Sequence, residues 1–84
     1  MAKTVKALPT PQQNGPMEAK VLGEFIRARR TQAGMGIHET AALCGVAVDT
    51  LTKIETARDD VNLSSVLKVC RMLGITLKVE RWDE

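Results

Sequence analysis

The sequence predicts a mainly α domain, a compact four-helix bundle closed by one short C-terminal β-strand. Apolar residues recur at helical spacing in four stretches, broken by glycines or polar loops. The central stretch, Ile37–Glu55, reads as two short helices joined by a tight turn at Gly45. After Gly74 the apolar period changes from that of a helix to that of a strand.

Length and composition bound this picture. At 84 residues the chain is one small domain, near the size at which a single core suffices. One Phe, one Trp and no Tyr make that core aliphatic. A net charge of +2 is weak for a nucleic-acid binder, so the distribution of charge matters more than its sum. Arg27, Arg29 and Arg30 cluster in one helix, while Asp83 and Glu84 form an acidic end. Cys44 and Cys70 fall on apolar helix faces without a CxxC or His cluster, which favours buried thiols over a disulfide and suits the cytoplasm. No apolar run approaches the roughly 18 residues of a membrane helix, and no secretory leader is expected.

Residues 1–16 hold all three prolines and read as a flexible arm, in which Lys3 and Lys6 either brush DNA or belong to an inert tail. Residues 17–74 form the helical domain and residues 75–84 a dimerisation strand with an acidic tail. The first helix is expected over residues 18–33 and stops at Gly34. Val21, Leu22, Phe25, Ile26 and Arg29 fall at helical spacing and make its core side, with Phe25 as anchor. Arg27 and Arg30 lie on a flank that either reaches phosphate or is a solvated face favourable to the helix dipole. In the hairpin, Ala41, Cys44, Leu51 and Ile54 point inward and Val46 folds in from the turn. Such a helix–turn–helix is a DNA-binding signature whose second helix enters the major groove.

A polar loop follows over residues 56–61. Asn62 has the character of an N-cap and Val61 pairs with Val66 as a hydrophobic staple. Leu63, Val66, Leu67, Cys70 and Leu73 are read as the inner stripe of the last helix, while Val69 and Met72 widen it toward a second, partner-facing surface. In ITLKVERW, Ile75, Leu77 and Val79 alternate with polar residues, as a strand does. No second strand is visible, so pairing across a C2 homodimer is expected, with Trp82 covering the sheet or touching a partner. The alternative is a tail lying on its own helices. Val69, Met72, Ile75, Leu77, Val79 and Trp82 are thus the candidate dimer interface.

From about Leu22 to Val79 the chain resembles the Xre family of lambda-repressor-like helix-turn-helix proteins. The matching stretches are LGEFIRARRTQAG, A–x3–G–V at Ala41–Val46, L–x2–I–E at Leu51–Glu55 and LSSVLKVCRMLGI. The terminal strand is similar to that of HipB-type antitoxins. The resemblance implies that Arg30 pairs with Glu55, a mainly architectural role in keeping with a glutamate beside the core needing a bidentate partner. It also implies that Ala47, Val48, Asp49, Thr52 and Lys53 face the groove. Lys53 suits guanine or a phosphate, Thr52 and Thr56 base or backbone, and Val48 a thymine methyl. Asp49 accepts from a cytosine amino group or simply stabilises the helix start.

The chain departs from the family pattern at three places. Ala47 replaces the usual Ser or Thr cap, Thr40 takes a place usually apolar, and Gly36–Ile37 replaces a Thr-Gln pair whose glutamine meets phosphate. His38 is the candidate substitute for that contact, or a surface residue.

The resulting expectation is a repressor of double-stranded DNA, with Arg27, Lys53, Arg29 and Arg58 attracting phosphate, acting as a homodimer on a near-palindromic operator. As an antitoxin it would also bind a HipA-like kinase toxin. The alternative is a protein-interaction module that keeps the fold without specific DNA binding. One His and scattered carboxylates supply no catalytic constellation, so no enzyme, cofactor, metal or membrane association is expected.

Overall fold

A computed structural model describes residues 4–83, so Lys3 and Glu84 lie outside it. Four helices occur among the described residues: α1 (Ala19–Gln32), α2 (Ile37–Cys44), α3 (Val48–Thr56) and α4 (Leu63–Met72). All four end in the same way. A left-handed residue follows within two positions of each C-terminus, and the amide after it bonds back into the last turn. At α1 Gly34 has φ +72°, and Met35 N donates to the Arg30 carbonyl at 3.1 Å. At α2 Gly45 has φ +70°, with Val46 N donating to Ala41 at 3.0 Å; at α4 Gly74 has φ +76°, with Ile75 N donating to Cys70 at 2.8 Å.

Three of these stops are the glycines expected from the sequence. The fourth is Ala57, at φ +54°, whose neighbour Arg58 N donates to the Lys53 carbonyl at 3.1 Å. A Cβ in that conformation costs on the order of 1 kcal/mol. α3 therefore ends on a residue that its left-handed conformation strains.

Ile26, Leu51, Val69 and Cys44 sit at the centre of the core, fully buried, with Ala41, Ile54, Val66, Cys70 and Leu73 around them. Burial pushes the thiols of Cys44 and Cys70 up from their ordinary values. Both are free and fully enclosed, which makes them core residues rather than reactive ones.

The packing differs from the sequence reading in four places. Phe25 is only half-buried and Ile26 anchors α1 instead. On α4 the inward row is Val66, Val69, Cys70 and Leu73, while Leu63 and Leu67 are exposed. Val69 therefore belongs to the chain's own core and has no surface to offer a partner. Val69, Cys70 and Leu73 follow Val66 at three, four and seven residues, as a single helix face requires. Asn62 precedes α4 in extended conformation, but its side chain makes no capping bond; Ser65 and Val66 amides donate to its carbonyl at 3.0 and 3.2 Å.

The fourth difference is at the termini. No strand occurs among the described residues, because a lone extended segment has nothing to complete a ladder. Ile75 packs on the core, and Leu77, Val79 and Trp82 stand exposed beyond it. At the other end the arm is tethered rather than loose at residues 8–10. Leu8 N donates to Thr31 Oγ1 at 3.0 Å, and Gln32 Nε2 donates to the Leu8 carbonyl at 2.7 Å and to Thr10 Oγ1 at 2.9 Å.

Candidate nucleic-acid interface

Two close approaches position α3. Its C-terminal end lies on α1 at Gly23, where a Cβ would stand 2.5 Å from the Ile54 carbonyl oxygen and 2.6 Å from that of Glu55. Only a residue without a side chain permits that approach. On the other side the left-handed turn at Gly45 swings the chain from α2 into α3, with Ala41 fully buried at the crossing. Thr40 is fully buried too, and its hydroxyl donates to the Gly36 carbonyl at 2.9 Å, which is how a polar residue occupies an apolar place.

The α3–α1 contact is locked by an ion pair. Arg30 Nε donates to Glu55 Oε2 at 2.7 Å and Nη2 donates to Oε1 at 2.9 Å, while Nη1 donates to the Met35 carbonyl at 2.9 Å. The two side chains are only 10% and 4% exposed. This is the bidentate geometry expected, in a place that water scarcely reaches. Arg30 is consequently an architectural residue, and its assignment to DNA contact gives way to its burial. Arg29 is also engaged, since its Nε donates to the Leu73 carbonyl at 2.9 Å and closes the end of α4. Arg29 is otherwise exposed, so this bond holds one edge of its guanidinium only.

What remains on the outward face of α3 is short. Ala47, Asp49 and Thr56 are exposed; Val48, Thr52 and Lys53 are half-buried. Val48 partly packs on the core, which limits the methyl surface it presents. The Thr52 hydroxyl donates to the Val48 carbonyl at 2.9 Å and that of Thr56 to the Thr52 carbonyl at 2.7 Å, so both oxygens face outward as acceptors. Lys53 Nζ lies 3.1 Å from Asp49 Oδ2, and Arg58 Nη2 lies 3.6 Å from Asp49 Oδ1. Arg58 Nε is also 4.0 Å from Asp59 Oδ2.

Exposed Arg27 stands beside this face, lining with Ile37, Thr52 and Thr56 a depression of about 240 Å³ over the buried pair. His38 is exposed in the first turn of α2. Neither α2 nor α3 has a side-chain cap, so the amides at both N-termini point outward without an internal side-chain acceptor. Such amides suit phosphate oxygens. Geometry thus brings Arg27, Lys53, Arg58, Thr52, Thr56 and two helix starts to one surface, and removes Arg30.

The helix-turn-helix domain family matches residues 21–82, most of the chain. The chain belongs to the helix-turn-helix domain family. Solved structures agree with the Xre-like reading. A HipB variant in complex with an O2 20mer superposes with a TM-score of 0.70 at 18% identity, covering 86% of this chain and 100% of that one. The clp gene regulator ClgR from C. glutamicum superposes with a TM-score of 0.63 at 26% identity, over 79% of this chain and 85% of its own. No curated protein matches the sequence. This helix-turn-helix chain is accordingly a DNA-binding regulator in its broad class. No helix among the described residues is long and apolar enough to cross a membrane.

Gly23 is the residue that sequence reasoning missed. Its signal was a glycine inside a helical run, where it costs about 1 kcal/mol unless packing requires it.

Proposed function

We propose that this helix-turn-helix domain is a sequence-specific repressor, not an enzyme, that binds a near-palindromic operator as a homodimer and regulates its own gene in the cytoplasm. The observation that carries this is the gathering of Arg27, Lys53, Arg58 and two uncapped helix starts around α3, on a frame locked by the Arg30–Glu55 pair. Two such surfaces reading successive major grooves require half-sites about 34 Å apart. The exposed apolar side chains of Met72, Leu77, Val79 and Trp82 favour a second copy as the C-terminal partner. An antitoxin role with a HipA-like kinase toxin rests on the HipB-type resemblance and on this same apolar surface.

Those exposed side chains also favour the second reading, an interaction module without specific DNA binding. Fluorescence anisotropy separates the two. DNA from upstream of the gene and a shuffled duplex are titrated at low and near-physiological salt. A repressor prefers its own duplex by roughly 10³-fold or more, saturates at two chains per duplex, and retains that preference at physiological salt. Equal binding to both duplexes that disappears with salt, or no binding, would refute the proposal.

A further inference from the structure

We propose that Asp49 sets the specificity of this interface by competing with DNA phosphate for Lys53 and Arg58. The inference rests on the DNA-binding reading above and concerns how that surface discriminates.

Asp49 occupies the middle of the outward face. With successive side chains turned by about 100°, Leu51 and Ile54 fix the inward direction of α3, and Asp49 and Thr56 fall opposite. A helix that enters a groove lined by phosphates therefore leads with a carboxylate, 67% exposed. Both of its oxygens face cations, Lys53 Nζ at 3.1 Å from one and Arg58 Nη2 at 3.6 Å from the other. Arg27 is exposed on the same surface, and Lys68 Nζ approaches the turn at Gly45.

Binding to DNA of arbitrary sequence offers these cations little beyond charge. A phosphate replaces the Asp49 carboxylate as their partner, and the displaced carboxylate is left among phosphates that repel it. The exchange gains little, so Asp49 suppresses non-specific binding. A matched operator adds hydrogen bonds and apolar contacts to base edges, which offset the cost of separating the ions. Selectivity arises from an unfavourable element that the correct site alone overcomes. The first-turn position of Asp49 also favours α3 electrostatically, but that role leaves DNA discrimination untouched.

The experiment is Asp49→Asn in the full chain, measured by anisotropy on operator and random duplexes across a salt series. Asparagine keeps the shape while removing the charge, at the cost of a small charge–dipole contribution to the helix start. Random-duplex affinity is expected to rise about tenfold, operator affinity to rise less, and the random-duplex slope of log K against log salt to steepen by about 1 to 2 as freed cations engage phosphate. In a Lys53→Met background the gain from Asp49→Asn is expected to shrink, because one competing cation is gone.

An unchanged random-duplex affinity and slope would overturn the inference. So would loss of operator binding alone, which would make Asp49 a reader of a base amino group. If neither protein binds any duplex, the DNA-binding reading fails and this inference falls with it. A matching thermal melt for the variant, or the same result with Asp49→Ser, excludes misfolding as the cause.

Discussion

Gly23→Ala is expected to destabilise the domain by about 2–3 kcal/mol net, lowering Tm by on the order of 10–20 °C. Helix propensity alone gives the opposite sign, because alanine inside a helix gains about 1 kcal/mol over glycine. Packing decides the outcome. The added methyl would sit 2.5 and 2.6 Å from the carbonyl oxygens of Ile54 and Glu55, and backbone cannot swing aside as a long side chain does. α1 and α3 must then separate, which loosens the seat of the recognition helix and pulls at Arg30 and Glu55. Thermal and urea melts read the effect. A variant that melts at or above the parent temperature would show that the helices do not cross this closely.

Arg30→Ala is expected to cost more, about 3–5 kcal/mol, because it leaves Glu55 buried without its cation. The Met35 carbonyl loses its donor as well. Such a loss approaches the whole stability of a domain this size. Replacing both partners together with apolar residues, Arg30→Met with Glu55→Leu, is expected to recover most of the stability, since no buried charge is stranded. Chemical denaturation of the single and double variants measures the difference. A single variant within about 0.5 kcal/mol of the parent would remove the ion pair from the fold's supports.

The contrast between these two positions shows what was legible in the sequence. Arg30 and Glu55 are both charged, both stand next to apolar helix positions, and belong to a family pattern that pairs them. Their contact could be read in advance. Gly23 offers no chemistry to match, and its necessity lies in two carbonyls from a helix about thirty residues away. Helix ends divide in the same way. Gly34, Gly45 and Gly74 announce left-handed stops, whereas Ala57 adopts the same conformation with no glycine to mark it.

The interface was legible in its location and less so in its members. The family resemblance implied the outward face of α3, and Asp49, Thr52, Lys53 and Thr56 all keep exposed or half-exposed side chains there. It could not show that Arg29 reaches back to the Leu73 carbonyl, since that bond joins residues far apart in sequence. Nor did it settle the inner row of α4. Leu63, Val66, Leu67, Val69, Cys70 and Leu73 are all apolar, and only the angle at which α4 meets its neighbours selects Val69 over Leu63 and Leu67. The bonds to Leu8 and Thr10 were hidden for a related reason: Thr31 and Gln32 become anchors only once α1 exists to present them.

The claim on which the rest depends is that α3 is the surface that meets DNA. Amide NMR of the full chain, titrated with the duplex from upstream of its own gene, tests this directly. The largest shift changes are expected across residues 47–58, with smaller ones at Arg27 and at the start of α2 around His38. Changes confined to α4 and residues 75–83, with the α3 amides unmoved at saturation, would contradict it.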